Sequence, residues 1–148
     1  MTRFNRRFTA LLWIILIVLI MVLWSLFISG PNRIKEEQER IVTQKIEKKV
    51  DGIQGLSMHL FDYQTYQGYT DSKLYWFDAK GNIITTRKME ELDYDKASKT
   101  AKKEYDVDTA AIYLGYGYDN PCYVIEGKDT MILIDFDTYV KVFERELR

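Results

Sequence analysis

His59 is the single histidine of this chain and Cys122 its single cysteine. Nucleophilic catalysis of the Ser-His-Asp kind would have to run through His59, with Ser57 or Ser72 as the nucleophile. Ser57 and His59 stand two residues apart on one face of a strand, and no Gly-x-Ser-x-Gly elbow is present. His59 therefore reads as an ordinary sheet residue. A zinc site takes three or four His, Cys or carboxylate ligands, and one His with one Cys does not supply them. Cys122 follows Pro121 at the start of a strand and reads as a small, half-buried residue rather than a reactive external thiol. It has no second cysteine with which to form an internal disulfide. Asp135 and Asp137 flank a turn, where Asp bonds the local backbone; a calcium loop needs five or more spaced ligands and a closing Glu. Glu90 and Glu91 read as solvated residues on the approach to a helix, with nothing to hold them across a cleft for glycoside chemistry. The expectation is a protein that is not an enzyme, with no catalytic residues, no metal and no cofactor.

The tyrosines are a different matter. Tyr63, Tyr66 and Tyr69 share one stretch rich in Gly, Gln and Thr, and Tyr113, Tyr116, Tyr118 and Tyr123 surround Gly115 and Gly117. Tyrosine is both apolar and hydrogen-bonding, and is enriched where a surface binds a partner. Tyr113 and Tyr123 read as packing a helix against a sheet. Tyr66, Tyr69, Tyr116 and Tyr118 are the partner-binding candidates, because Gly68, Gly115 and Gly117 beside them suit exposed backbone better than core. The corresponding loops of two stacked units could form one continuous surface.

The elements that must position these residues begin with a membrane anchor. Residues 8–28 carry no charge and are almost wholly Leu, Ile, Val, Trp and Phe. At about 1.5 Å per residue they span roughly 31 Å as a helix, close to the ~30 Å hydrocarbon core. Arg3, Arg6 and Arg7 precede them and favour a cytoplasmic N-terminus, with Trp13 and Trp24 toward the two ends. A cleaved signal peptide is the rival, but this run exceeds the usual 7–15 residues and Phe27-Ile28-Ser29 is a poor cleavage site. The expected layout is a cytoplasmic N-terminus over 1–7, a transmembrane helix over 8–28, and an extracellular remainder on the cell membrane. Setting aside the three N-terminal arginines leaves 18 basic residues against 22 acidic ones outside. That net of −4 argues against nucleic acid as a partner. It also argues against polybasic lipid binding beyond the N-terminal flank.

Gly30-Pro31-Asn32 marks the end of the anchor, and residues 33–50 read as a second helix. Val42, Ile46, Val50 and Ile53 share one face, while Ile34 and Ile41 lie on another, so a solvated stalk leads into a helix docked on a sheet. Too few heptads are present for a coiled coil. Strands are expected at 56–60, 73–77 and 83–88, with Asp78-Ala79-Lys80-Gly81-Asn82 as a hairpin turn. Asp93 is a helix N-cap, with Ala97, Ala101 and Tyr105 as the inward stripe. Strands follow at 110–116, 122–126, 131–135 and 139–144. The strands repeat. A shift of 57 positions puts Leu74-Tyr75-Trp76-Phe77-Asp78 on Met131-Ile132-Leu133-Ile134-Asp135 and Ile83 on Val140, without a gap, while the helical stripes match at 55. Antiparallel strands with helices gathered on one side give the α+β class. The units are a stalk helix and first unit over 29–89 and a second unit over 90–148.

The basic N-terminus, the anchor and the tandem units ending in Ile132-Leu133-Ile134-Asp135-Phe136-Asp137-Thr138 resemble the TseB-like (YpmB-type) proteins of Gram-positive bacteria. Residues 94–105, followed by Ala111-Ile112-Tyr113-Leu114-Gly115-Tyr116 and Cys122-Tyr123-Val124-Ile125-Glu126, resemble the PepSY-like units of that family. The resemblance runs from the N-terminus to about Phe143. It implies tandem PepSY-like or cystatin-like folds and a cell-wall elongation regulator that binds a penicillin-binding transpeptidase. It supplies no catalytic residues. The first unit departs from the pattern at 63–71, which makes the completeness of its sheet an open point. Two other readings stand beside it: a protease-inhibitor-like or propeptide-like module, by family analogy, and an external sensor holding a wall fragment in a tyrosine-lined groove.

Overall fold

The computed structural model describes residues 6–25 and 30–147. Residues 1–41 and 42–148 form two compact units. The first contains helix α1 (Arg6–Trp24) and the opening turns of helix α2 (Gly30–Lys49). From residue 8 to residue 24, α1 is apolar all round and its side chains are exposed on every face. Ile34 and Ile41 are likewise exposed, as the stalk reading expects. Among the described residues no helix is long and apolar enough to cross a membrane. The expected span 8–28 continues through positions 26–28, which lie outside the described residues.

The second unit is α+β. Strands β1 (Gln54–Leu60), β2 (Gln64–Tyr69), β3 (Lys73–Asp78) and β4 (Ile83–Lys88) make one antiparallel sheet in sequence order. A short 3-10 turn (Met89–Glu91) leads to helix α3 (Tyr94–Tyr105). Strands β5 (Ala111–Gly117), β6 (Asn120–Glu126), β7 (Thr130–Asp135) and β8 (Lys141–Glu146) make the second antiparallel sheet, again in order. Asp93 caps α3 as expected, its carboxylate accepting from the backbone N–H of Lys96 at 2.8 Å.

Alternation along each strand divides the core. In the first sheet Tyr66, Tyr75 and Phe77 face the α2 stripe of Val42, Ile46 and Val50. Leu74 and Trp76 point the other way, into the main core with Ala97, Ala101, Leu114, Tyr123 and Ile132. Ala97 and Ala101 are fully buried, and their small side chains let α3 lie close to β6. The reverse face of the second sheet buries Cys122, Val124, Met131 and Leu133 beneath Phe61, Tyr113, Phe143 and Leu147.

The two sheets share an irregularity. Pairing slips between Trp76 and Phe77 against β4, and between Leu133 and Ile134 against β8. These positions are equivalent at the expected offset of 57, so the bulge falls at the same place in both sheets. Beyond it the gapless alignment fails. Trp76 faces Thr85 and Leu133 faces Phe143, an offset of 58, so Ile83 corresponds to Lys141 rather than Val140. The extra residue sits in the second turn: Asp78 N–H bonds Asn82 C=O, whereas Asp135 N–H bonds Val140 C=O.

The first sheet is complete. The stretch thought weakest contains β2, paired on both sides. Its Gly68 looked like exposed backbone, but a Cβ there would come within 2.9 Å of Leu56 and 3.0 Å of Ile53. Side chains crossing over the strand take up the space a β-carbon would fill there.

Candidate functional site

Two of the four candidate tyrosines are displaced from the loops expected for them. Tyr66 is buried on β2 among Ile46, Val50 and Phe77, with its hydroxyl accepting from Gln64 Nε2 at 2.9 Å. Tyr116 is buried on β5 in the main core. The error has one physical source. Gly115 also lies in a strand, and a Cβ there would meet Phe61 at 2.7 Å and Val124 at 2.9 Å. Phe61 occupies the space left by the missing side chain, as Leu56 and Ile53 do over Gly68, so in both strands the glycine marks a crossing side chain and not an open loop.

Tyr69 and Tyr118 are exposed, at 39% and 45%, and each borders its own cleft. Tyr69 ends β2 and, with Leu74, Leu92, Tyr94 and Leu114, lines an apolar cleft of about 260 Å³. Burial raises the Tyr94 phenol above its ordinary value, so it is a neutral hydrogen-bond donor at this edge. Tyr118 sits in the β5–β6 turn over a second cleft of about 190 Å³, with Leu60, Phe61, Met131, Phe143 and Arg145 around it. Its backbone N–H bonds Asp62 at 2.8 Å, just before β2 begins. Tyr69 is at the far end of that strand, about 17 Å away at ~3.3 Å per residue. The two tyrosines therefore do not make the single continuous surface expected from stacked loops.

The Tyr118 turn is unusual. Tyr118 and Asp119 have φ of 55° and 63°, the left-handed pair that a two-residue hairpin turn needs. Glycine normally supplies that geometry because a β-carbon there costs roughly 1–2 kcal/mol, and Asn or Asp does so by bonding the local backbone with a short polar side chain. The Asp62 carboxylate and a stack on Phe143, with ring centroids 5.6 Å apart, hold the strained residue. The Tyr118 ring is thus fixed over the cleft while its edge remains in solvent.

The residues weighed for catalysis are also placed. Ser57 Oγ and His59 Nε2 are 2.9 Å apart on edge strand β1. The imidazole stacks between Phe61, at 6.2 Å, and Tyr113, at 5.3 Å. Burial lowers the His59 pKa, which favours the neutral ring. Among the described residues no carboxylate bonds that ring to orient it. Cys122 is fully buried on β6, and burial, followed by the nearby Asp135 charge, pushes its thiol up to about 12. Among the described residues no group of three or more His, Cys, Asp or Glu side chains could hold a metal ion.

Asp135 does the turn work expected of it. One carboxylate oxygen accepts from the backbone N–H groups of Asp137 and Thr138 and from the Thr138 hydroxyl. Asp137 does something the sequence did not disclose. Arg87 of β4 donates to its two oxygens at 2.9 and 2.7 Å, and Asn120 donates to it at 3.1 Å and to Asp135 at 2.6 Å. This network ties the first sheet to the β7–β8 turn of the second. No local pattern points to it, because Arg87 and Asp137 stand 50 positions apart.

No family model and no curated protein matches the chain. Among solved structures, one described as a "putative lipoprotein" from Clostridium difficile 630 is similar at 19% identity and a TM-score of 0.36. The match covers 75% of this chain and 92% of that one. At that score the likeness carries no argument about fold or function.

Proposed function

We propose that this chain is a membrane-anchored, non-enzymatic regulator or scaffold of TseB-like type, built from two tandem PepSY-like units. In this reading it lies on the outer face of the cell membrane and acts by binding a penicillin-binding transpeptidase. The anchor rests on the uncharged run at 8–28. The part of it described in α1 presents apolar side chains on every face, a pattern that belongs in lipid or a buried core.

The observation that carries the contact site is Tyr118. A strained, exposed aromatic held over a cleft of mixed polarity, walled by Leu60, Phe61, Asp62 and Arg145, is the kind of anchor on which protein interfaces concentrate their energy. Its test is affinity capture of the transpeptidase by the full chain from membranes, comparing wild type with Tyr118→Gly. Glycine suits the left-handed turn, so the fold is retained. Capture should fall at least tenfold at equal membrane level. Undiminished capture would remove Tyr118 from the interface. Capture of a protease, or of glycan alone, would favour the inhibitor-like or the sensor reading instead.

A further inference from the structure

Each sheet ends in two edge strands, and an edge strand invites pairing with another chain unless charge or a covering element blunts it. Strand β4 carries Arg87 and Lys88, and β8 carries Lys141, Glu144, Arg145 and Glu146. Strand β5 has no charge, but it packs against β2 of the first sheet, with residues 114–117 buried. Strand β1 has neither protection. It contains no Asp, Glu, Lys or Arg, and it pairs with β2 on one side only.

The side chains of β1 alternate. Ser57 and His59 share one face, where the imidazole stacks on Phe61 and Tyr113. Leu56, Met58 and Leu60 share the other. Leu56 packs with the α2 stripe, whereas Met58 and Leu60 are 41% and 70% exposed. The bulge between Gln54 and Ser57 is confined to the start of the strand, and Ser57 to Leu60 keep an unbroken register with β2.

This pattern is complementary to itself. A two-fold contact sets one patch against its own copy. An antiparallel pair of β1 strands centred on Met58 therefore places Met58 opposite Met58, and Leu56 opposite Leu60 at both ends. Three apolar cross-strand pairs lie on one face, and Ser57 meets His59 on the other. A charge at the axis would face its own like, and β1 has none.

We propose that β1 is a self-association edge, pairing antiparallel about Met58 with β1 of a second copy of this chain. A strand of another protein would gain from the uncharged edge but not from its two-fold pattern, which only a copy uses. One short ladder with two exposed side chains from each copy makes a contact smaller than the ~1,200 Å² at which stable complexes begin. Confinement of both copies to one membrane raises their effective concentration and lets so small a contact form. The inference rests on the anchor of the proposed function and is independent of the transpeptidase and of Tyr118.

The test is disulfide formation by the full chain in isolated membranes, oxidised with copper phenanthroline. Met58→Cys places two thiols across the axis, with Cα atoms about 4.5–5.5 Å apart, within the ~4.4–6.8 Å that a disulfide spans. Leu60→Cys is more exposed, yet it lies about 14 Å from its own copy at ~3.4 Å per residue. Cys122 is buried and stays silent in both. Met58→Cys should form a disulfide-linked dimer at least tenfold faster than Leu60→Cys or than Ile83→Cys on exposed β4. Leu60→Asp added beside Met58→Cys should slow it at least tenfold at unchanged melting temperature. Equal rates at the three positions, a disulfide from Met58→Cys to a different protein, or no slowing by Leu60→Asp overturns the proposal. No dimer from a chain that sediments with the membranes overturns the pair and leaves the anchor standing. A chain recovered in the soluble fraction overturns the anchor and the pair with it.

Discussion

Trp76 is the side chain on which both the repeat and the packing can be tested at once. It is fully buried, it meets Phe136 edge-on, and its indole N–H has no hydrogen-bond partner among the described residues. Truncation to Ala removes the ring and leaves a cavity, at a cost of about 3–5 kcal/mol for a buried aromatic. Replacement by Phe keeps most of the packing. The smaller ring loses part of the burial, about 1–2 kcal/mol at ~25 cal/mol per Å². Removing an orphaned donor returns about 1–3 kcal/mol, so Trp76→Phe should lie within ~1 kcal/mol of wild type. For a folded unit near 100 residues, each kcal/mol moves Tm by roughly 4–8 °C. Trp76→Ala should therefore lower Tm by on the order of 15 °C or more, and Trp76→Phe by about 8 °C at most. Leu133→Ala, at the equivalent fully buried position, should cost about 2–5 kcal/mol. Thermal unfolding of the full chain in micelles, followed by circular dichroism, reads all three. The reasoning is refuted if Phe is as damaging as Ala, or if both Ala variants melt with wild type.

Two further outcomes follow from the charged and thiol groups. The Asp137 carboxyl is held below its ordinary range, first by the Arg87 hydrogen bonds and then, against the opposing effect of burial, by Asn120. At Asp135 burial pushes upward, but Asn120 and the Thr138 and Asp137 bonds bring the net shift below the ordinary value. Groups depressed on folding contribute stability above their unfolded pKa of about 4, lost as pH falls through the folded values. Tm should therefore drop as pH is taken below about 4, and Asp137→Asn should start lower and show a shallower drop; an equal slope would remove the Arg87–Asp137 bridge from the explanation. Cys122, buried with its thiol pushed up to about 12, should resist iodoacetamide at pH 8 until the chain is denatured, and rapid labelling of the native protein would contradict that burial.

The sequence carried more of the fold than of the site, and the residues show why. The uninterrupted apolar runs Leu74-Tyr75-Trp76-Phe77 and Met131-Ile132-Leu133-Ile134 located β3 and β7, because both faces of each strand are covered. The Asp93 cap and the Ala97–Ala101 stripe were legible since both depend on neighbours three or four residues away. Strand β2 was missed because Gly, Gln, Thr and Tyr carry no alternation, and because Gly68 lies where Ile53 and Leu56 cross over it. The same non-local cause moved Tyr66 and Tyr116 from expected surface to core, where Phe61 over Gly115 is an invisible partner in sequence. Tyr118 stayed at the surface, but what makes it distinctive, a left-handed backbone braced by Asp62 and Phe143, depends on residues 56 and 25 positions away.

The central claim is that the chain works through contact at the Tyr118 cleft. The most direct measurement places a photo-crosslinking amino acid at position 140 in living cells, on an exposed side chain of the β7–β8 turn leading into β8, so that Tyr118 itself is left intact. Irradiation should give a single adduct, identified by mass spectrometry as a penicillin-binding transpeptidase. The adduct should be lost when Tyr118→Gly or Arg145→Gln is introduced beside the probe. The same adduct at undiminished yield in both variants, or none from position 140 while a probe at exposed Ile83 of the other sheet captures the transpeptidase, would contradict the account.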